Sequence, residues 1–284
     1  MNKKLKVLKF IFTIFLCVFA VIGFVFTGVF IAMQLHLTDV KGSIDSRNEY
    51  FNKVRDEITR TTQATNIQYD WTTTSDWDVL KNGLIKDKEP ILEASRVSGV
   101  PARMIAAVVI PEQFRFFSSN RESFKRYFEP LKLLGNGTKF SFGVAGIKTG
   151  TAMQIEENLK DKNSVYYAGA DHENDLNFTT SDPDTERMDR LTDSHNHYFS
   201  YLYSGLFINQ ISNQWKNAGY SIDNRPEVIS TLFNLGFSHS QPKANPEVGG
   251  AEIVINGRSY TFGGIAYEFY YSNELVDIFP RDVQ

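Results

Sequence analysis

From Phe10 to Leu35 the chain has no polar periodicity at all; the run is uncharged and follows Lys3, Lys4, Lys6 and Lys9. A bilayer span needs about 20 apolar residues and a signal-peptide core about 7–15, so this run reads as an uncleaved transmembrane helix. No A-x-A-like cleavage site follows it, and Ile14-Phe15-Leu16-Cys17 lacks the small residues expected before a lipidated cysteine. The lysines ahead of the run favour a cytoplasmic tail over residues 1–9, a span over 10–35, and everything later outside the membrane. Residues 36–78 read as stalk and linker. Ile44, Phe51, Val54 and Ile58 recur at near-helical spacing, and then Thr, Ser, Asn and Gln take over around Trp71 and Trp77, as a linker or an irregular cover with the tryptophans docking on the domain or the lipid interface.

The domain is expected over 79–284. There the apolar positions mostly follow a helical period. Glu89 to Ser98 forms an amphipathic helix stopped by Gly99, and Pro101 opens the next, an apolar run toward Glu112 in which Pro111 is expected to kink or end the helix. Further helices are expected over Arg121–Leu134, Thr151–Leu159, Tyr198–Ala218, Pro226 to Gly236 and Gly264–Phe279, with a turn at Gly135–Thr138. Asp171 to Asp193 is acidic and without period, and reads as an exposed excursion. Only Glu252–Ile255 and Arg258–Phe262 alternate on a period of two, and the Asn256-Gly257 pair between them predicts a type I′ hairpin.

Composition removes several classes of function. The net charge of -3 and the lack of a basic stripe beyond the first nine residues argue against a nucleic-acid partner. Cys17 is the single cysteine, so there is neither a disulfide framework nor a cysteine metal site. His195 and His197 point apart on a helix, and Arg187 stands where a calcium loop begun by Asp182, Asp184 and Glu186 would need glycine. No metal and no cofactor is expected.

The chemistry concentrates on Glu112. It follows Val108 by four residues, Val109 by three and Ile105 by seven, which puts it on a core-facing stripe. Desolvation there penalises the charged form, so the pattern predicts a raised pKa and a general acid. The plain alternative is a carboxylate that caps or salt-bridges near a helix end.

Glu112 also belongs to the first of three ordered motifs: Gly99-Val100-Pro101, an apolar helix, then Glu112-Gln113-Phe114. The second is Ser141-Phe142-Gly143-Val144-Ala145-Gly146-Ile147 with Thr151-Ala152 behind it, and the third is Leu232-Phe233-Asn234-Leu235-Gly236. Over roughly residues 89–237 this set resembles the lysozyme-like superfamily, specifically its soluble-lytic-transglycosylase type of domain, which cuts peptidoglycan glycan strands. The motifs are similar to that family's Glu-Ser-x-Phe helix end, its Gly-Leu-Met-Gln stretch with a trailing Thr-Ala, and its Ala-Tyr-Asn-Ala-Gly. Gln113 replaces the family's Ser, Gly146 its Gln and Phe233 its Tyr, and the stretch from Asp161 to His197 is longer than a compact member needs. The chain therefore resembles a divergent branch.

The expected fold is mainly α (α+β): a helical domain, lysozyme-like by the resemblance, with a small C-terminal β-hairpin that is not part of that family's motif set, preceded by the single transmembrane helix read from the apolar run. The resemblance implies Glu112 as general acid and base, with Gln113, Ser141, Phe142, Gly143, Val144, Phe233 and Asn234 binding substrate. The implied partners are peptidoglycan glycan strands, the membrane through the N-terminal helix, and an envelope protein complex. The implied location is a single-pass inner membrane protein with its domain periplasmic or extracellular. Two other readings fit the same motifs, a non-catalytic glycan-binding or scaffold relative and a lysozyme-type muramidase.

Overall fold

The computed structural model describes residues 68–118 and 141–281, together with part of a helical segment between residues 12 and 31. It divides into two units, Met1–Val40 and Lys41–Gln284. In the first unit the described residues are helical and carry exposed apolar side chains, Phe12, Phe15 and Phe24 among them. Among the described residues no helix is long and apolar enough to cross a membrane, and most of the Phe10–Leu35 run lies outside them. The expected helix over 121–134, the turn after it and the stalk before residue 68 also lie outside.

The second unit is mainly helical with a small antiparallel hairpin. Its helices are α1 (Ser75–Lys86), α2 (Lys88–Ser98), α3 (Ala102–Ser118), α4 (Thr149–Lys160), α5 (Pro183–Thr192), α6 (Tyr198–Asn217), α7 (Pro226–Leu235) and α8 (Phe262–Tyr271). Strands β1 (Ser141–Phe142) and β2 (Ile147–Lys148) form a short pair ahead of α4. Strands β3 (Glu252–Ile255) and β4 (Arg258–Thr261) form the expected hairpin in the expected register, with Asn256 and Gly257 both at positive φ, 49° and 77°.

Helix α3 is the axis. Met104 through Ile110 are all buried, which leaves no polar face. The reason is its position, in contact with α1, α2, α6, α7, α8 and β3, and a helix covered on every side has no use for amphipathicity. Pro101 accepts the first turns of the helix through its carbonyl. Pro111 does not end it: the helix runs on to Ser118, which corrects the expected stop. Packing on all sides outweighs the one backbone bond that proline removes.

Two other expectations change. The packed body begins before Val79, because Trp71 sits in a 3-10 turn (Asp70–Thr73), Trp77 in α1, and both are core residues. Trp71 packs edge-on against Trp77 and Phe114. The tryptophans therefore dock on the domain. The 171–193 stretch is not simply an exposed excursion either. Leu176 and Leu191 are buried, and so are Arg187 and Arg190. Arg187 forks onto Glu156 at 2.6 and 2.7 Å and meets Asp184, while Arg190 bonds Glu186 and the carbonyls of Leu176 and Asn177. Ion pairs, which leave no hydrophobic period, pack this segment.

The last helix ends at Tyr271, short of Phe279, although Phe279 is buried as expected. Arg103, at the start of α3, explains the stop. Its guanidinium is fully buried and donates to five carbonyls, those of Phe269, Tyr270, Ser272, Glu274 and Phe279, at 2.7 to 3.0 Å. The chain after α8 thus turns around a cation instead of continuing as helix. Burial pulls the Arg103 pKa down to about 10, which still leaves it charged at neutral pH. Arg103→Met removes all these donors while keeping an apolar stem, and urea unfolding should show a loss of about 3 to 5 kcal/mol. Arg103→Lys keeps the charge without the planar fork and should fall between the two.

Candidate active site

Glu112 lies in the continuous part of α3, just past Pro111, and is buried, with 7% of its surface exposed. Arg115, one turn on, places Nη2 2.6 Å from both carboxyl oxygens. The turn Gly143–Gly146 between β1 and β2 closes over the same carboxyl. A Cβ built on Gly146 would lie 2.1 Å from Oε1 of Glu112 and 2.4 Å from its Cδ. Only glycine fits there, for that reason and because its φ is +62°. Gly143, at the other end of the turn, is pressed as tightly against the Leu191 carbonyl and the Ser200 hydroxyl, 2.1 and 2.5 Å from an added Cβ.

The remaining expected site residues take different places, and not all of them lie at this contact. Gln113 donates its side-chain amide to the carbonyl of Val144, which fastens the turn to α3. Ser141 and Phe142 form β1, opposite Lys148 and Ile147. Phe233 is buried with its ring 5.3 Å from that of Phe207, so it faces the core. Asn234 accepts the backbone N–H of Ala251 at 2.8 Å and anchors the loop before the hairpin. That loop reaches the Glu112 neighbourhood by contact: Gly250 sits between Asn234 and Phe262, and the Arg115 guanidinium lies 6.0 Å from the Phe262 ring. Gln113 thus ties the second motif to the first, and Asn234, in the third, positions the backbone of the loop before the hairpin.

Candidate second carboxylates are engaged elsewhere. Asp182 caps α5, Asp184 pairs with Arg187, and Glu186 accepts the backbone N–H groups of Thr179 and Thr180 besides pairing with Arg190. Glu122 lies outside the described residues. Among the described residues no group of three or more His, Cys, Asp or Glu is placed to hold a metal. His197 instead pairs with Asp87 at 2.5 Å, and Tyr201 donates to the same carboxylate.

The pattern of apolar positions missed two residues. Arg115 was visible only as an i, i+3 partner on the Glu112 helix. Glu268 was visible only as a lone carboxyl in the apolar helix α8. Its Oε2 accepts Trp71 Nε1–H at 2.7 Å, and burial, opposed by that hydrogen bond, pushes its pKa up to about 7. No family model, no curated protein and no solved structure matches this chain.

Two outcomes follow from these contacts. Gly146→Ala should destabilise the fold by roughly 2 kcal/mol or more, from left-handed backbone strain plus overlap with Glu112. Pairing it with Glu112→Ala should recover the overlap part, so a double-mutant cycle in urea should show coupling well above about 0.5 kcal/mol. For Glu268, the folded protein holds the proton more tightly than the unfolded chain, whose ordinary value is 4.5. Its contribution to stability is whole below about pH 4.5 and is lost as pH rises through about 7, a change on the order of 3 kcal/mol. Glu268→Gln keeps an acceptor for Trp71; it should flatten the pH dependence of unfolding over that window and exceed the parent's stability at pH 8.

Proposed function

We propose that this chain is a membrane-anchored lytic transglycosylase that cleaves the bond between N-acetylmuramic acid and N-acetylglucosamine in peptidoglycan, with Glu112 as its single acid and base. The observation that carries the reading is the contact of Glu112 with the Gly143–Gly146 turn, made by residues far apart in sequence and belonging to two of the motifs. The helical fold with a small hairpin supports it, as does the engagement of Asp182, Asp184 and Glu186 in other contacts. A paired-carboxylate hydrolase would need a second carboxyl about 5–9.5 Å from the acid.

In this mechanism Glu112 donates its proton to the glycosidic oxygen as the bond to the anomeric carbon breaks. The resulting carboxylate then takes the proton of the muramyl 6-hydroxyl, whose oxygen bonds to the anomeric carbon. The product is a 1,6-anhydro end, and no water is consumed. Backbone groups of Gly143 and Val144 would bond the acetamido groups, beside Ser141 and Phe142. The lysines, the uncharged run after them and the exposed apolar side chains of the first unit support an anchor in the inner membrane with the domain outside it, where an envelope complex is its setting.

One observation favours a second reading. The Arg115 guanidinium sits directly on the Glu112 carboxylate, an arrangement suited to a relative that binds glycan without cutting it.

Incubating the full-length chain with purified peptidoglycan and weighing the products by mass spectrometry separates the readings. Anhydromuramyl ends are the expected result, reducing muramyl ends would indicate a muramidase, and no release would indicate the binding relative. Glu112→Gln should lower release about 100-fold or more, in line with loss of a general acid; unchanged release would remove Glu112 from the mechanism.

A further inference from the structure

Among the described residues, Gly146 and Arg115 lie against the Glu112 carboxyl, and one of them has to move before the carboxyl can reach a sugar oxygen. Gly146 belongs to a turn held at its start by the Gln113 amide on Val144 and by the fit of Gly143 against Leu191 and Ser200, and closed by the pairing of Phe142 with Ile147. Arg115 is the movable one. Its side chain is 20% exposed against 9% for Glu112, so Arg115 is the more open half of the pair. The buried Phe262 ring lies 6.0 Å from the guanidinium while it is on the carboxylate.

A guanidinium in a partly buried pair is displaced at low cost only by another anion, ideally one that accepts two parallel hydrogen bonds. Muramyl residues carry such a group: a lactyl carboxylate, free or amide-linked to a stem peptide that has carboxylates of its own. N-acetylglucosamine carries none.

We propose that Arg115 is a substrate-displaced latch, drawn off Glu112 by a carboxylate of the incoming strand, so that the acid is released only on an anionic glycan. This inference rests on the transglycosylase reading for its chemistry, but the recognition it describes does not require turnover. Arg115 would then act as a specificity-determining and positioning residue. It selects the strand by charge and holds Glu112 out of use on neutral chitin-like chains.

The test uses the full-length chain, wild type and Arg115→Gln, with three probes: stem-bearing strands, amidase-denuded strands with free lactyl carboxylates, and a neutral linear N-acetylglucosamine oligomer. Binding is read by calorimetry and turnover by product mass spectrometry. Wild type should bind at least one carboxylated probe about 30-fold or more tighter than the neutral oligomer, and Arg115→Gln should reduce that ratio to within about threefold. In turnover the variant should raise KM for carboxylated strands and raise kcat on the neutral oligomer, where Glu112 is no longer held. Preference for denuded strands assigns the lactyl carboxylate as the displacing group, and preference for stem-bearing strands assigns the peptide. A carboxylate preference that survives in Arg115→Gln, or equal binding of all three probes by wild type, overturns the latch. An equal loss of kcat on every probe with KM unchanged also overturns it, since removing a latch should free Glu112 on neutral chains. Arg115-dependent carboxylate preference without any product would sink the transglycosylase reading and leave the recognition standing. Glu112-dependent product with unaltered preference would do the reverse.

Discussion

A buried cation held by backbone carbonyls sets the geometry of this domain. Arg103 enters from the first turn of α3 and gathers the carbonyls that end α8 and line the following turn, so the first and last parts of the core are joined through one side chain. Those carbonyls lie at a helix C-terminus, where unsatisfied acceptors and the helix dipole both favour positive charge. The Phe269 ring, 4.5 Å from the guanidinium, covers it. With the Glu274 carbonyl committed to Arg103, its carboxylate is left to Trp77 and Lys81, which ties α1 to the same turn. Loss of Arg103 takes a donor from five carbonyls at once, of which those of Phe269 and Ser272 keep second donors in Ser272 and Arg281.

Around this knot α3 behaves as a rod rather than as an amphipathic surface helix. Its continuation past Pro111 decides where Glu112 is held. A helix that stopped at Pro111 would have put Glu112 in a loop, free to swing. In the observed fold the carboxyl is fixed by the helix beneath it, the Gly146 backbone against it and Arg115 one turn on. Substitution of Gly146 is therefore a change at Glu112 as much as a change in the turn.

What the sequence made legible follows from how local each determinant is. Gly99, Pro101 and Pro226 mark helix ends through their own backbone, and Asn256-Gly257 fixes the hairpin register within four residues, so these boundaries fall where expected. The docking of Trp71, the packing of Arg187 and Arg190, and the early end of α8 depend on partners 31 to 197 residues away or on charges that have no period. Polar composition was read as exposure in the 171–193 segment because hydrophobicity patterns cannot show that Glu156 waits for Arg187. At the candidate site, the motifs located Glu112, the turn and Asn234. They did not reveal that Gln113 and Asn234 hold backbone, or that Phe233 belongs to the core.

The two carboxyls buried near α3 and α8 show why burial alone does not identify an acid. Glu268 faces a neutral donor, the indole N–H of Trp71, and desolvation prevails, so its proton is held up to about pH 7. Yet it is bonded to a core tryptophan, which gives it a role in fastening the segment before α1 to α8. Glu112 faces a guanidinium that is itself partly open to water, next to a turn whose glycine leaves room for nothing larger. The first contact is a closed structural bond; the second is a pair whose outer member can be exchanged. Under the proposed latch, reactivity at Glu112 would depend less on how deeply the carboxyl is buried than on what can take Arg115 from it, and a glycan strand with its own carboxylate would bring the means with it.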